Sequence, residues 1–334
     1  MLDRLAKADP RRYLIALGLV LGLALIPTMI MSFVIDPYGM NGLFDLGIDK
    51  RAVAYPLNYR LYKLAAFRRQ PGELVVFGDS RADALQERWF AEAGVPYFNF
   101  SYPGGTLLDE IRTFWWAAQR TRLRVAVFSI PFNMYTDGDR QYADFQARIL
   151  DQSLALVDNP WAYYQSSFVR RVSWRAVQPL IWRSVGAAAT AREPPTSAPP
   201  SAEARWNKAL DMVNGTYSDW KQPKSLQAKL EQVRRYCVDR KIQLVFFLPP
   251  NQVDLQRKVD QFGLTGEYAA YKAYLGTLGT VFDYDVTSAI TLDRKNYADP
   301  FHVREDTARW LVHDLIAHGL PKWTRPVPPL GRYR

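Results

Sequence analysis

The sequence contains one cysteine and only three histidines among its 334 residues. A single cysteine, Cys237, excludes an intramolecular disulfide bond and any cysteine-rich metal site. It falls on the apolar side of a predicted helix, so we interpret it as a buried thiol. The sequence also has no Gly-rich phosphate loop and no nucleic-acid-binding motif. We therefore predict that nucleic acid is not a partner of this protein.

Charged residues are missing from residues 14–35, a run of 22 residues that contains Pro27 as an expected kink. A helix of this length can cross about 30 Å of hydrocarbon. We predict a transmembrane anchor over 13–35 that follows a cytoplasmic tail, 1–12. The tail carries more basic than acidic residues, which places it inside by the positive-inside rule. These residues are Arg4, Lys7, Arg11 and Arg12 against Asp3 and Asp9.

A cleaved signal peptide is the alternative for this segment. The apolar run is longer than a usual signal core, and no small-x-small cleavage site follows it. We therefore expect an uncleaved, single-pass anchor in the inner membrane, with the rest of the chain in the periplasm.

The overall charge is strongly positive, since 43 Lys and Arg outnumber 33 Asp and Glu to give a net charge of +10. A basic domain outside the cytoplasm can face anionic lipid headgroups or an acidic polymer. The apolar content of 48% excludes wholesale disorder and allows one sizeable core.

Five short apolar runs alternate with helical patterns, which predicts an α/β fold with a doubly wound, parallel, five-stranded sheet of flavodoxin-like type. We assign this domain to 36–136 and 224–320. Residues 137–223 are rich in Trp, Tyr and Arg and predict a helical insertion, a lid or partner surface, with a flexible loop at about 187–202. A C-terminal tail covers 321–334. The predicted strands are 74–77, 97–100, 125–130, 243–248 and 281–284.

Polar and glycine residues follow the predicted strands. Because right-handed crossovers bring all strand-to-helix loops to one edge of the sheet, these residues are expected to meet there. Ser80 follows the first strand, Gly104 and Gly105 the second, Asn133 the third and Asn251 the fourth.

A histidine and an acid precede the last predicted helix. Asp299 and His302 are three residues apart at the start of that helix, so one turn can bring the carboxylate to one imidazole nitrogen. His313 and His318 lie within the helix, where surface or capping positions are expected. His302 is therefore the candidate base.

These residues allow nucleophilic catalysis. A serine hydroxyl needs a base within hydrogen-bond reach, and the base needs a group that fixes its tautomer. Ser80, His302 and Asp299 can fill those catalytic roles, and no metal or cofactor is required. The alternative is that Gly78-Asp79-Ser80 is only a polar turn after a core strand.

Acyl transfer also needs donors for the oxyanion that forms on the substrate. The candidates are the backbone N–H of Ser80, the N–H of Gly105 or Gly104, and the side-chain amide of Asn133. We name Asn251 and Arg81 as substrate-binding candidates. Arg81 has two further interpretations, a structural role or a solvated surface arginine.

Together these blocks resemble the SGNH (GDSL) hydrolase superfamily. The blocks are Gly78-Asp79-Ser80, a glycine after the second strand, an asparagine after the third, and Asp299-x-x-His302 before the last helix. The likeness covers about 74–133 and 225–318, and it implies an SGNH-type fold and a Ser-His-Asp triad.

An anchor followed by an SGNH-like domain is similar to the accessory O-acyltransferases of bacterial exopolysaccharide and cell-wall pathways. Alginate O-acetyltransferases and the teichoic-acid D-alanylation protein share this layout. The resemblance implies a multispanning MBOAT-type acyltransferase as acyl donor and a polysaccharide as acceptor. An anchored carbohydrate or lipid esterase is one alternative, and a non-catalytic assembly partner of a membrane acyltransferase is another.

Overall fold

The computed structural model describes residues 10–184, 201–318 and 320. Residues 1–9 of the predicted tail, most of the predicted loop at 187–202 and the predicted tail 321–334 lie outside the described residues. The described residues form two compact units, one of 10–66 with 153–184 and the other of 67–152 with 201–320.

The described secondary structure consists of helices interleaved with five strands, and two short 3-10 helices at Phe132–Met134 and Arg294–Asn296. In chain order the elements are α1 (Pro10–Ile35), α2 (Lys50–Ala54), α3 (Tyr59–Arg69), β1 (Leu74–Gly78), α4 (Ser80–Asp83), α5 (Glu87–Glu92), β2 (Tyr97–Ser101), α6 (Leu107–Ala118), β3 (Val125–Ser129), α7 (Arg140–Asp158), α8 (Pro160–Gln165), α9 (Ser167–Ser184), α10 (Ala202–Asp211), α11 (Asn214–Ser218), α12 (Lys224–Arg240), β4 (Gln243–Leu248), α13 (Val253–Gln261), α14 (Thr265–Leu278), β5 (Thr280–Asp283), α15 (Ala289–Leu292) and α16 (Glu305–His318).

The first unit is helical, and α1 packs on α9 within it. The chain turns sharply after α1 at Asp36, where the N–H of Gly39 donates to the Asp36 carbonyl at 2.8 Å. The buried Asp36 carboxylate accepts hydrogen bonds from the N–H of Met40 at 2.7 Å and from the hydroxyl of Tyr163 at 3.2 Å. Residues 36–39 thus form a turn.

The predicted membrane anchor coincides with α1. Among the residues that the structure describes, no helix is both long and apolar enough to span a bilayer. The structure therefore does not support the transmembrane anchor predicted over 13–35.

The second unit contains a five-stranded, all-parallel sheet in the order β2-β1-β3-β4-β5, which confirms the predicted parallel α/β sheet. The central strands β1 and β3 are buried at every position. Continuous apolar strands of this kind occur where helices cover both faces of a parallel sheet.

Alternate residues of β1 enter two different cores. Leu74 and Val76 pack in a cluster with side chains of α5 and α16. On the other face, Phe77 lies between Phe100 of β2 and Phe128 of β3, with ring centroids 6.0 and 5.1 Å apart. Cys237 of α12 is buried, as predicted.

Helices α4 and α12 each begin at a defined residue. Two short helices, α4 and α5, follow β1, and α4 begins at Ser80 itself. Pro223, and not Ser225, occupies the N-cap position of α12. The N–H and hydroxyl of Ser225 donate instead to the Asp137 carboxylate, at 2.9 and 2.6 Å.

Candidate active site

Ser80 lies at the carboxyl end of the central strand β1. The Asp79 carboxylate accepts the backbone N–H of Arg81 at 2.9 Å and so caps α4, whose first residue is Ser80. A side chain at Gly78 would place its Cβ 2.7 Å from the Cβ of Ala82 and 2.8 Å from that of Ser129. Only glycine allows the helix to lie so close to the end of the strand.

Asp299 and His302 lie in a loop that immediately precedes α16. An antiparallel bridge between Tyr297 and Val303 closes the loop. The Asp299 Oδ1 atom accepts the backbone N–H groups of Phe301 at 2.9 Å and His302 at 3.0 Å. The loop, and not the helical turn that we expected, therefore fixes the carboxylate beside the imidazole.

The three predicted catalytic side chains form one hydrogen-bonded chain. Ser80 Oγ lies 2.7 Å from His302 Nε2. On the other side of the ring, His302 Nδ1 lies 2.8 Å from Asp299 Oδ2 and 2.9 Å from Oδ1. This is the arrangement in which a base can take the serine proton while an acid fixes its tautomer.

The electrostatics of Asp299 suit this role. Partial burial by itself would raise its pKa, but the hydrogen bond and charge of His302 and the two backbone N–H groups outweigh burial and lower the pKa below its ordinary 3.8. Asp299 is therefore ionised at neutral pH, and its carboxylate can accept a hydrogen bond from a protonated Nδ1 of His302.

The predicted oxyanion donors differ in their surroundings. The N–H of Ser80 is at the first position of α4, where a helix offers no internal acceptor. Asn133 lines the same cavity as Ser80. The N–H of Gly105, by contrast, donates to the Tyr102 carbonyl at 2.7 Å, so it has an acceptor within the chain.

Gly104 also lines the cavity, with a φ of +65° that favours glycine. Its carbonyl accepts the hydroxyl of Tyr142 at 2.7 Å. The structure thus brings both predicted glycines to the cavity wall, together with Ser80 and Asn133.

Arg81 is buried, with 6% of its surface exposed, so its interpretation as a solvated surface residue is wrong. Its guanidinium binds the Asp79 carboxylate at 2.6 Å. It also donates to the side-chain oxygens of Asn133 at 2.9 Å and Asn251 at 3.2 Å.

Asn251 is equally buried and is not among the residues that line the cavity. Its amide donates to Asp285 Oδ2 at 2.9 Å while its oxygen accepts from Arg81. Its polar side-chain atoms thus contact Arg81 and Asp285, and the predicted role of Asn251 in substrate binding stays a prediction.

Sequence reasoning missed Asp285, whose carboxylate accepts hydrogen bonds from the backbone N–H of Asn251 at 3.2 Å and from its side-chain amide at 2.9 Å. Burial raises the pKa of Asp285, and Lys272 and three hydrogen-bonding side chains partly counter that rise. Asp285 is the second residue after β5, so the rule that loops gather at the carboxyl edge could have identified it.

A cavity of about 790 Å³ opens over Ser80 and His302. This volume lies within the range of roughly 300–1,000 Å³ that is typical of ligand sites. The predicted insertion contributes part of the wall, through Tyr142 of α7 and Met212 after α10. Arg112, Arg140 and Lys229 add basic groups, of which Arg112 is paired with Asp151 at 2.5 Å.

Comparison with known proteins gives no assignment. No family model matches the chain, and a search of curated proteins finds no significant match. The functional argument therefore depends on the residues of the site.

Proposed function

We propose that this protein is a serine-dependent O-acyltransferase that works through an acyl-enzyme on Ser80. The observation that supports the proposal is the continuous hydrogen-bonded chain from Ser80 Oγ through His302 to Asp299, at 2.7 and 2.8 Å, in the wall of a ligand-sized cavity. In this arrangement the imidazole is close enough to remove the proton of the serine hydroxyl, which makes the hydroxyl a nucleophile.

In the first half-reaction, Ser80 Oγ attacks the carbonyl carbon of an acyl ester. His302 Nε2 takes the serine proton, and Asp299 stabilises the imidazolium that forms. The carbonyl oxygen becomes an oxyanion, for which the N–H of Ser80 and the amide of Asn133 are the donors. When the ester bond breaks, His302 returns the proton to the departing alcohol and the acyl group remains on Ser80.

In the second half-reaction, an acceptor hydroxyl attacks the acyl-serine carbonyl. His302 Nε2 removes the proton of that hydroxyl, and the same donors bind the new oxyanion. Collapse of this intermediate releases the acylated acceptor, and the proton passes back to Ser80 Oγ. The chain returns to its starting state with no redox change.

A polysaccharide hydroxyl is the acceptor that we propose. The cavity is larger than an acetyl group requires, and its wall carries both basic side chains, such as Arg140 and Lys229, and acidic ones, such as Asp137 and Asp139. The net charge of +10 of the whole chain suits an anionic polymer. The donor that we propose, a multispanning MBOAT-type acyltransferase, follows from the family resemblance alone. An extracytoplasmic location belongs to the same proposal, and fractionation of cells that express the full chain tests it.

Hydrolysis is the second candidate, and one observation favours it. The side chain of His302 is 37% exposed, so water can reach the base that would activate it. In that case water replaces the sugar hydroxyl in the second half-reaction and the protein is an esterase.

The full-length chain incubated with a chromogenic acetyl ester tests both candidates, in the presence and absence of oligosaccharide acceptors. A transferase gives faster release of the chromophore with a suitable acceptor, together with an acylated product detected by mass spectrometry. Release that no acceptor accelerates, with free acetate as the sole product, supports the esterase instead.

The variant Ser80→Ala is expected to abolish turnover and to prevent a stable acyl adduct in intact-protein mass spectra. Ser218→Ala is the matched control, because the exposed Ser218 hydroxyl only donates to the carbonyl of Asn214 at 2.7 Å. Unchanged turnover in Ser80→Ala would remove Ser80 from the mechanism. A wild-type chain that neither turns over esters nor forms an adduct would favour the non-catalytic assembly partner.

A further inference from the structure

A buried ionic cluster lies directly behind the candidate nucleophile. Arg81 donates from Nε and Nη2 to the Asp79 carboxylate, at 2.9 and 2.6 Å. Its remaining contacts reach Asn251 from Nη1 and Asn133 from Nη2. All three nitrogens of the guanidinium thus donate hydrogen bonds to side chains of the protein. Arg81 is the residue that follows Ser80 in the sequence.

We propose that Arg81 is a positioning residue that sets the orientation of the Asn133 amide and thereby completes the oxyanion hole. This inference rests on the proposed acyl-transfer function. A guanidinium has donors and no acceptor, so it can bind only the oxygen end of an asparagine amide. With Oδ1 of Asn133 held by Arg81 at 2.9 Å, the NH₂ end is left to donate into the cavity that Ser80 shares.

The cluster also explains why this orientation is stable. Asp79 neutralises the buried guanidinium and at the same time caps the helix that starts at Ser80. Asn251 is itself fixed by Asp285, and the ring of Phe301 lies 5.5 Å below the guanidinium carbon. Arg81 is therefore a rigid link between the nucleophile, Ser80, which precedes it in the chain, and the proposed oxyanion donor, Asn133, which it binds.

Lysine cannot replace arginine here, because an ammonium on a flexible stem cannot hold Asp79, Asn133 and Asn251 in one plane. In Arg81→Lys we expect kcat for ester turnover to fall about 10²–10³-fold, the range for loss of one oxyanion donor, with KM nearly unchanged. Asn133→Ala should show the same loss.

The decisive measurement is the double variant Arg81→Lys with Asn133→Ala. If Arg81 acts through Asn133, the double variant has the kcat of Asn133→Ala alone, because the amide that Arg81 orients is already gone. If the two losses multiply, Arg81 has a separate role and the proposal is overturned. Asn251→Ala is a second variant that removes one Arg81 contact. It should lower kcat less than Arg81→Lys does, and only when Asn133 is present.

A crystal structure of Arg81→Lys gives a readout that does not depend on activity. We expect the Asn133 side chain to turn or move from the orientation that its hydrogen bond with Arg81 gives it. An unmoved Asn133 with the same hydrogen-bond pattern would overturn the positioning role. An inactive wild-type protein would instead contradict the proposed function, and the crystallographic result would still decide the structural claim.

Discussion

Replacing Asp299 with asparagine tests the polarity of the catalytic hydrogen bonds, that is, which atoms donate and which accept from Ser80 through His302 to Asp299. In the structure, Asp299 Oδ1 accepts two backbone N–H groups, from Phe301 and His302, while Oδ2 lies 2.8 Å from His302 Nδ1. An asparagine oxygen will take the Oδ1 place, because both backbone groups are donors. That oxygen also lies 2.9 Å from Nδ1, but the two backbone N–H groups already use both of its lone pairs. The NH₂ group takes the Oδ2 place, 2.8 Å from Nδ1, where two donors meet unless Nδ1 gives up its proton.

The imidazole proton is therefore expected to move to Nε2, the nitrogen that lies 2.7 Å from Ser80 Oγ. A protonated Nε2 cannot accept the serine proton. The same substitution in a Ser-His-Asp triad lowers kcat by about 10⁴, or about 5 kcal/mol in the activation barrier. We expect a loss of this order for Asp299→Asn with KM little changed.

Steady-state turnover of a chromogenic acetyl ester measures the effect. The matched control is Asp314→Asn, since Asp314 pairs with His318 Nδ1 at 3.1 Å on the outer helix α16. The control should keep wild-type kcat. A kcat of Asp299→Asn above about a tenth of the wild-type value would refute the assigned polarity, because the tautomer argument requires a far larger loss.

Asp299→Asn also changes the response to acid. The folded state lowers the pKa of Asp299, so its contribution to stability is present above the unfolded value near 3.8 and is lost as pH falls through the lower folded pKa. Thermal unfolding of wild type and variant should therefore converge in acid and differ at neutral pH. Equal melting temperatures at pH 7 would contradict this account.

Three other substitutions or probes address the core behind the site. Burial, with Asp79 and Asp109 nearby, raises the pKa of Glu110 above 4.5. Above pH 4.5 Glu110 therefore loses its proton in the unfolded chain before it does so in the folded chain. The free energy of unfolding of the wild type then falls by up to about 1.4 kcal/mol per pH unit. Glu110→Gln should remove this fall, seen as a gain in melting temperature that grows as the pH rises above 4.5; a constant difference would contradict it. Gly78→Ala should cost about 1–3 kcal/mol in urea unfolding, because its Cβ would overlap Ala82 and Ser129, and an unchanged midpoint would show that the strand end can shift freely. Burial raises the pKa of Cys237 to about 12, so the native thiol should resist thiol-specific reagents at pH 8 and react only after unfolding; rapid labelling of the native chain would disprove its burial.

Much of the candidate site could be predicted from the sequence because its signals are local. Four apolar residues before Gly78 indicate a buried strand, and parallel strands place their following loops at one edge. Ser80, Asn133, Asp299 and His302 are residue types whose chemistry is visible without a fold. The topology then accounts for a contact between Ser80 and His302, which are 222 residues apart.

The tertiary structure decided how the polar groups are paired. An arginine beside a loop serine is usually exposed, and nothing local in the sequence shows that Arg81 binds Asn251, 170 residues away. For the same reason, the sequence could not show that the Gly105 N–H already has an acceptor, or that Asn251 faces Arg81. Strand and loop positions follow from neighbouring residues, whereas burial and hydrogen-bond partners depend on which distant segments pack together, and that is fixed only when the whole chain folds.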